Sequence, residues 1–182
     1  MNKSNISITI FLSVILICVG LLTYYFYITP NDRVHSDASK SLSVTKEKPF
    51  TDLQGNPTDF KKQEGKIRVV NIWASWDPFS AQELRDLNSV AQEYSDKGVV
   101  FIAINRKEPK EQAQRFLNSL PSLNNLSFVI DENDSFYNSI GGYAMPETVF
   151  YDKGGTIISH ARGLLTIDEM KVQIDSALHA QK

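Results

Sequence analysis

The chain has 182 residues, a formal net charge of −2 from 19 basic and 21 acidic side chains, and one cysteine, Cys18. That length holds one ordinary domain of about 100 to 150 residues plus a targeting element, and the near-balance of charge excludes the clustered basic excess of a nucleic-acid surface. A lone cysteine excludes an intrachain disulfide and a cysteine metal site in the soluble part, and His35, His160 and His179 are too scattered to suggest a ligand cluster, so no metal and no cofactor is expected.

Residues 6–28, "ISITIFLSVILICVGLLTYYFYI", carry no charge, and about 20 apolar residues are what an α-helix needs to cross a bilayer. The stretch 1–28 therefore reads as an N-terminal transmembrane signal anchor, with residues 6–28 in contact with lipid. Lys3 precedes the span and "TYYFY" closes it at the far interface, which predicts the N-terminus inside and the rest outside the cytoplasm. A cleaved signal peptide is the alternative, but bulky Tyr and Phe stand where a small-residue cleavage site belongs. Ile17 before Cys18 argues against lipidation. Residues 29–47, "TPNDRVHSDASKSLSVTKE", are polar and too poor in apolar groups to fold alone, and read as a linker.

Residues 48–182 read as one α/β domain. "FTDLQGNPTDF" holds two short β-like pieces around a Gly-Asn-Pro turn. In "KIRVVNIWA", Val69, Val70, Ile72 and Trp73 form the near-continuous apolar run of a strand covered on both faces. A helix follows: Asp77 is a good N-cap, Pro78 suits the first helical position, Leu84, Leu87, Ala91 and Tyr94 recur at helical spacing, and Gly98 stops it. "VVFIAIN" is a second buried strand and "EPKEQAQRFLNSL" a second helix with Ala113, Phe116, Leu117 and Leu120 on one stripe, which makes a βαβ unit with parallel strands. After Pro121 come a strand at "LSFVID", a short helix near "DSFYNSI", and two β-runs around Asp152–Gly155 that read as an antiparallel hairpin. Thr166 and Glu169 form a capping box for a closing helix whose Ile167, Met170, Ile174 and Leu178 face inward. No internal repeat is present, which removes solenoids from consideration.

Two motifs in this order of elements carry a resemblance. "VVNIWASWDPF" resembles the strand and redox turn of the thioredoxin fold, and "GGYAMPETVFYDKGG" resembles the segment that bears its cis-proline, here Pro146. With the "F-x-D-x-x-G" opening at Phe50, which is similar to an added N-terminal hairpin, nearly all of residues 48–182 resembles the membrane-anchored thioredoxin-like proteins of the TlpA, ResA and CcmG type, the redoxins. The resemblance implies a central mixed sheet flanked by helices, placed outside the bacterial cytoplasmic membrane on the periplasmic side.

It also implies disulfide exchange by a Cys-x-x-Cys pair, in which a low-pKa thiolate attacks and the second cysteine resolves. Here those positions hold Asp77 and Ser80. A carboxylate forms no stable bond of that kind with sulfur and a serine resolves nothing, so the catalytic assignment is none. Three roles are open to Asp77: a helix cap worth about 1 kcal/mol, a polar contact to a partner, or catalysis. The last has the least behind it, since no Ser-His-acid pattern is visible and Ser80 lacks the elbow glycines of a hydrolase.

By the same resemblance Trp76, Pro78, Phe79, Met145 and Pro146 surround a shallow groove where an extended protein client pairs with the backbone beside the cis-proline. The competing reading of Trp76 and Phe79 is packing at the edge of the core. Two functions stay open: a redox-inactive module that holds a client or assembly partner, in cytochrome or respiratory-complex maturation by analogy, and an oxidoreductase acting with a thiol supplied by a partner.

Overall fold

The computed structural model describes residue 21, the strand at 34–35, and residues 50–59, 63 and 65–179. The chain divides into two compact units, Met1–Asp32 and Arg33–Lys182. In the first, Leu21 is helical and exposed; the rest of the expected span at 6–28 lies outside the described residues. Among the described residues no helix is long and apolar enough to cross a membrane.

In the second unit the strands β1 (Val34–His35), β2 (Phe50–Thr51), β3 (Pro57–Thr58), β4 (Ile67–Trp73), β5 (Val99–Arg106), β6 (Ser127–Asp131), β7 (Glu147–Tyr151) and β8 (Ile157–Arg162) form one sheet in the order β1-β8-β7-β4-β5-β6-β2-β3. β4, β5 and β6 are parallel neighbours and every other pairing is antiparallel. β1 falls in the stretch read as a linker, where Val34 and His35 pair with Ala161 and His160. The helices are α1 (Ser80–Glu93), α2 (Lys110–Asn118), α3 (Ser135–Ser139) and α4 (Ile167–His179).

Every residue of β4 is buried, as its apolar run predicts. Side chains alternate across a strand, so Ile67, Val69 and Trp73 enter one core with Leu84, Leu87, Met170 and Ile174, while Val70 and Ile72 enter a second with Phe136, Tyr137 and Ile140. Each such side chain, once buried, contributes about 1.5–3 kcal/mol. Trp73 stacks on Phe116 at 5.5 Å, which seats α2 on the first core. The alternation has a second effect. Asn71 and Thr148, paired across β4 and β7, share the α1 face, whereas Glu147 points to the opposite one.

The start of α1 departs from expectation. The helix begins at Ser80 with Phe79 in the N-cap position, and Pro78 lies in the preceding turn. The Asp77 carboxylate gathers the amides of Phe79 and Ser80 onto itself, so it caps from a turn that is not yet helical. α1 also ends earlier than predicted, at Glu93, and Gly98 at φ +73° turns the chain into β5. The closing helix has its capping box: Thr166 N–H donates to Glu169 Oε2 and Glu169 N–H to Thr166 Oγ1. At the β7–β8 turn Gly155 N–H donates to Asp152 O and Thr156 N–H to Asp152 Oδ1.

Candidate functional site

Ile72 of β4 pairs with Glu147 of antiparallel β7, so the turn that leaves β4 and the loop that enters β7 stand at the same end of neighbouring strands. This register brings Trp76, Asp77, Pro78, Phe79 and Ser80 to the same edge as Met145 and Pro146.

In the turn, Asp77 Oδ2 accepts hydrogen bonds from Phe79 N–H (3.1 Å), Ser80 N–H (2.6 Å) and Ser80 Oγ–H (2.7 Å). Ser80 Oγ accepts in turn from Ala74 N–H at 3.3 Å. Asp77 is 6% exposed and Ser80 fully buried. Asp77 and Ser80, which the sequence reading aligned with a redox pair, are thus joined by a hydrogen bond, and the serine's proton is committed to the aspartate. The arrangement can hold a helix start; it has no sulfur to exchange.

Upstream, Ser75 is tied to Glu108, whose carboxylate accepts from Ser75 N–H (2.8 Å), Ser75 Oγ–H (2.5 Å), Asn105 Nδ2 (2.6 Å) and Gln112 Nε2 (2.7 Å). Between these anchors the side chains of Trp76 (59% exposed) and Phe79 (51%) stand out to solvent, and Pro78 is exposed beside them.

On the facing loop the Met145–Pro146 peptide bond is cis, Pro146 is buried and Met145 half-buried. Pro146 C=O accepts from Gly163 N–H (2.8 Å), and Ala144 C=O from the Tyr137 hydroxyl (2.9 Å). Among the described residues no hydrogen bond engages Met145 N–H or C=O. Tyr143 is 73% exposed with the Arg162 guanidinium 4.8 Å from its ring centre.

Four residues of the site escaped the sequence reading. Glu83 is fully buried beneath the turn, where Oε1 accepts from Thr148 Oγ1 (2.6 Å) and Asn71 Nδ2 (3.0 Å), and Oε2 from Leu165 N–H (3.4 Å). Burial pushes its carboxyl up to about 7 against the pull of these donors, and the charge of Asp77 adds to the rise. Glu147 and His160, both buried, form a pair, Nε2 to Oε2, at 2.6 Å. Burial alone would raise the Glu147 carboxyl, but bonds from His160 and from the amides of Ala144 and Tyr143 outweigh it and leave the group below the usual range. Tyr143 is the fourth. A signal for Glu83 existed, because Ser80, Glu83, Leu87, Val90 and Tyr94 continue one inward stripe of α1. Glu147 opens a short strand that ends in the apolar run Val149–Tyr151, a weaker sign.

A cleft of about 450 Å³ lies between the N-terminal hairpin and β6, lined among others by Leu53, Pro57, Ile102 and Phe128, and shares no residue with the turn or the loop.

A parallel β4–β5–β6 core, an antiparallel β7–β8 hairpin entered through a cis-proline, and a helix that starts directly after β4 define a thioredoxin fold. The Redoxin family model matches residues 31–173, and the chain belongs to that family. It is 26% identical over 170 residues to the thiol-disulfide oxidoreductase ResA of Geobacillus thermodenitrificans, covering 92% of each chain. It is 30% identical over 159 residues to the thiol:disulfide interchange protein HelX of Rhodobacter capsulatus, covering 85% of this chain and 86% of that one. Among solved structures it resembles a secreted disulfide oxidoreductase of Mycobacterium tuberculosis with a TM-score of 0.62 and 25% identity, covering 70% of this chain and 93% of that one.

Proposed function

We propose that this chain is a membrane-tethered, extracytoplasmic thioredoxin-fold protein that holds a polypeptide partner in extended conformation and does not itself exchange disulfides. The observation that carries the reading is the bonding of Asp77 to Ser80: the redox positions are filled, buried and mutually satisfied without sulfur. What stays available at the same edge is recognition chemistry. Met145 offers one amide and one carbonyl for strand addition, and Trp76 and Phe79 offer exposed aromatic area of the kind that dominates interface energetics. Residues 6–28 supply the tether, with the N-terminus inside and the folded unit on the periplasmic side of a bacterial cytoplasmic membrane. The clients that suit such a place are proteins under assembly, such as cytochromes or respiratory complexes.

The names of the matched relatives favour a second reading, in which the chain takes part in disulfide exchange through a thiol supplied by a partner. A photoreactive residue at position 145 of the full-length chain, in membranes of its own cell, separates the two. Holding without exchange predicts adducts to a protein even when all thiols are alkylated, and no insulin reduction above buffer by the purified chain. Adducts that vanish on alkylation overturn it in favour of the second reading.

A further inference from the structure

We propose that Glu147 and His160 are positioning residues for the partner edge: a buried pair that sets the conformation of residues 143–146 so that Met145 presents both of its main-chain groups. The inference rests on the docking role proposed above and assigns to two residues out of the partner's reach the task of shaping the surface it meets.

The geometry is specific. Glu147 opens β7 and turns one oxygen toward each neighbour: Oε1 accepts from Tyr143 N–H (2.8 Å) and Ala144 N–H (2.6 Å), and Oε2 takes the His160 Nε2–H (2.6 Å). In the β7–β8 register Glu147 faces Arg162 and Val149 faces His160, so the imidazole reaches the carboxylate diagonally along one face of the sheet. With Ala144 C=O taken by Tyr137 and Pro146 C=O by Gly163, the polar main-chain groups flanking Met145 are engaged inward. Glu147 thereby holds the two amides before Met145, Tyr137 and Gly163 hold the carbonyls on either side of it, and both main-chain groups of Met145 remain for a partner.

Loop stability does not demand this device. Tyr143 is exposed, so water could satisfy its amide. Burying a carboxylate costs several kcal/mol before its partners compensate. A buried charge spent on the amides of a partly exposed loop is accounted for when the loop must keep one shape, since an edge ordered in advance loses less entropy on binding.

The test uses the full-length chain in detergent at one fixed pH, with hydrogen exchange of the segment 141–146 as one readout. The other is affinity for S-carboxymethylated insulin B chain, an extended polypeptide without free thiols. Glu147→Ala should speed exchange at 143–144 about tenfold or more, leave β4 and β5 protected, and weaken B-chain binding by about tenfold. Glu147→Gln, which keeps an oxygen for the two amides, should stay within about threefold of the parent in both. His160→Ala should move both readouts in the direction of Glu147→Ala, and it decides the matter should that variant fail to fold. Unchanged exchange at 143–144 overturns the proposal, and so does a loosened loop that binds the B chain as well as the parent. If the parent chain binds no B chain at all, the docking reading fails, and exchange alone then judges whether the pair sets the loop.

Discussion

Thr148 Oγ1 donates to Glu83 Oε1 over 2.6 Å although 65 residues separate them. The contact ties the helix behind the Trp76–Phe79 turn to the strand behind the Met145–Pro146 loop. Both sides of the proposed partner edge are therefore held by one buried carboxyl whose donors, Asn71, Thr148 and the Leu165 amide, are all uncharged.

Stability should carry the mark of that carboxyl. Its folded pKa of about 7 lies above the ordinary 4.5, so the folded state binds the extra proton between those values. The stabilisation is fully present below about pH 4.5 and is lost as pH rises through about 7, by about 3 kcal/mol. Denaturant midpoints from pH 5 to pH 8 should fall in the parent chain, and Glu83→Gln should flatten that part of the profile. An equally steep fall in Glu83→Gln would assign the dependence to another group.

Glu147 should act in the opposite sense. Its carboxyl lies below the usual range in the folded state, so its contribution is present at neutral pH and is lost as pH falls through that depressed value. In Glu147→Gln the acid limb of the stability profile should be shallower than in the parent.

Removing the cap tests the structural part of Asp77. Asp77→Ala strips the acceptor from Phe79 N–H, Ser80 N–H and Ser80 Oγ and should cost about 1–2 kcal/mol, seen as a Tm lower by several degrees. Asp77→Asn keeps an acceptor oxygen and should cost distinctly less. Equal losses would mean that the charge, not the capping bond, stabilises the turn.

The double change Asp77→Cys with Ser80→Cys should create a disulfide at the turn. Two residues already in side-chain contact at a helix start should oxidise to a disulfide, read by intact mass after alkylation of any free thiol. Failure to oxidise would count against this turn being the redox turn of the family.

Trp76 and Phe79 separate recognition from packing. With more than half of each residue exposed, truncation to Ala should leave Tm within about 1–2 °C while reducing recovery of crosslinked partner from position 145. A Trp76→Ala variant that melts several degrees lower and still crosslinks normally when folded would return both aromatics to the edge of the core.

Local chemistry made much of this protein legible in one dimension. The buried run of β4, the stripe of α1, the Thr166–Glu169 box and the Asp152–Gly155 turn each depend on residues a few positions apart, whose spacing decides which face they occupy. The absence of thiols from the turn is likewise a matter of composition. The stripe of α1 put Glu83 on the inward face, but the roles of Glu83, Glu147 and His160 were out of reach because they lie in contacts made across the fold. Glu83 meets Asn71, Thr148 and Leu165 only once the β4–β7 register is set, and that register decides which of Glu147 and Thr148 takes the α1 face. A shift of one residue would exchange those faces. Local spacing and composition thus carried the fold and the absence of thiols from the turn, while tertiary pairing alone decided which carboxyls are buried and that, among the described residues, the main-chain groups of Met145 make no hydrogen bond.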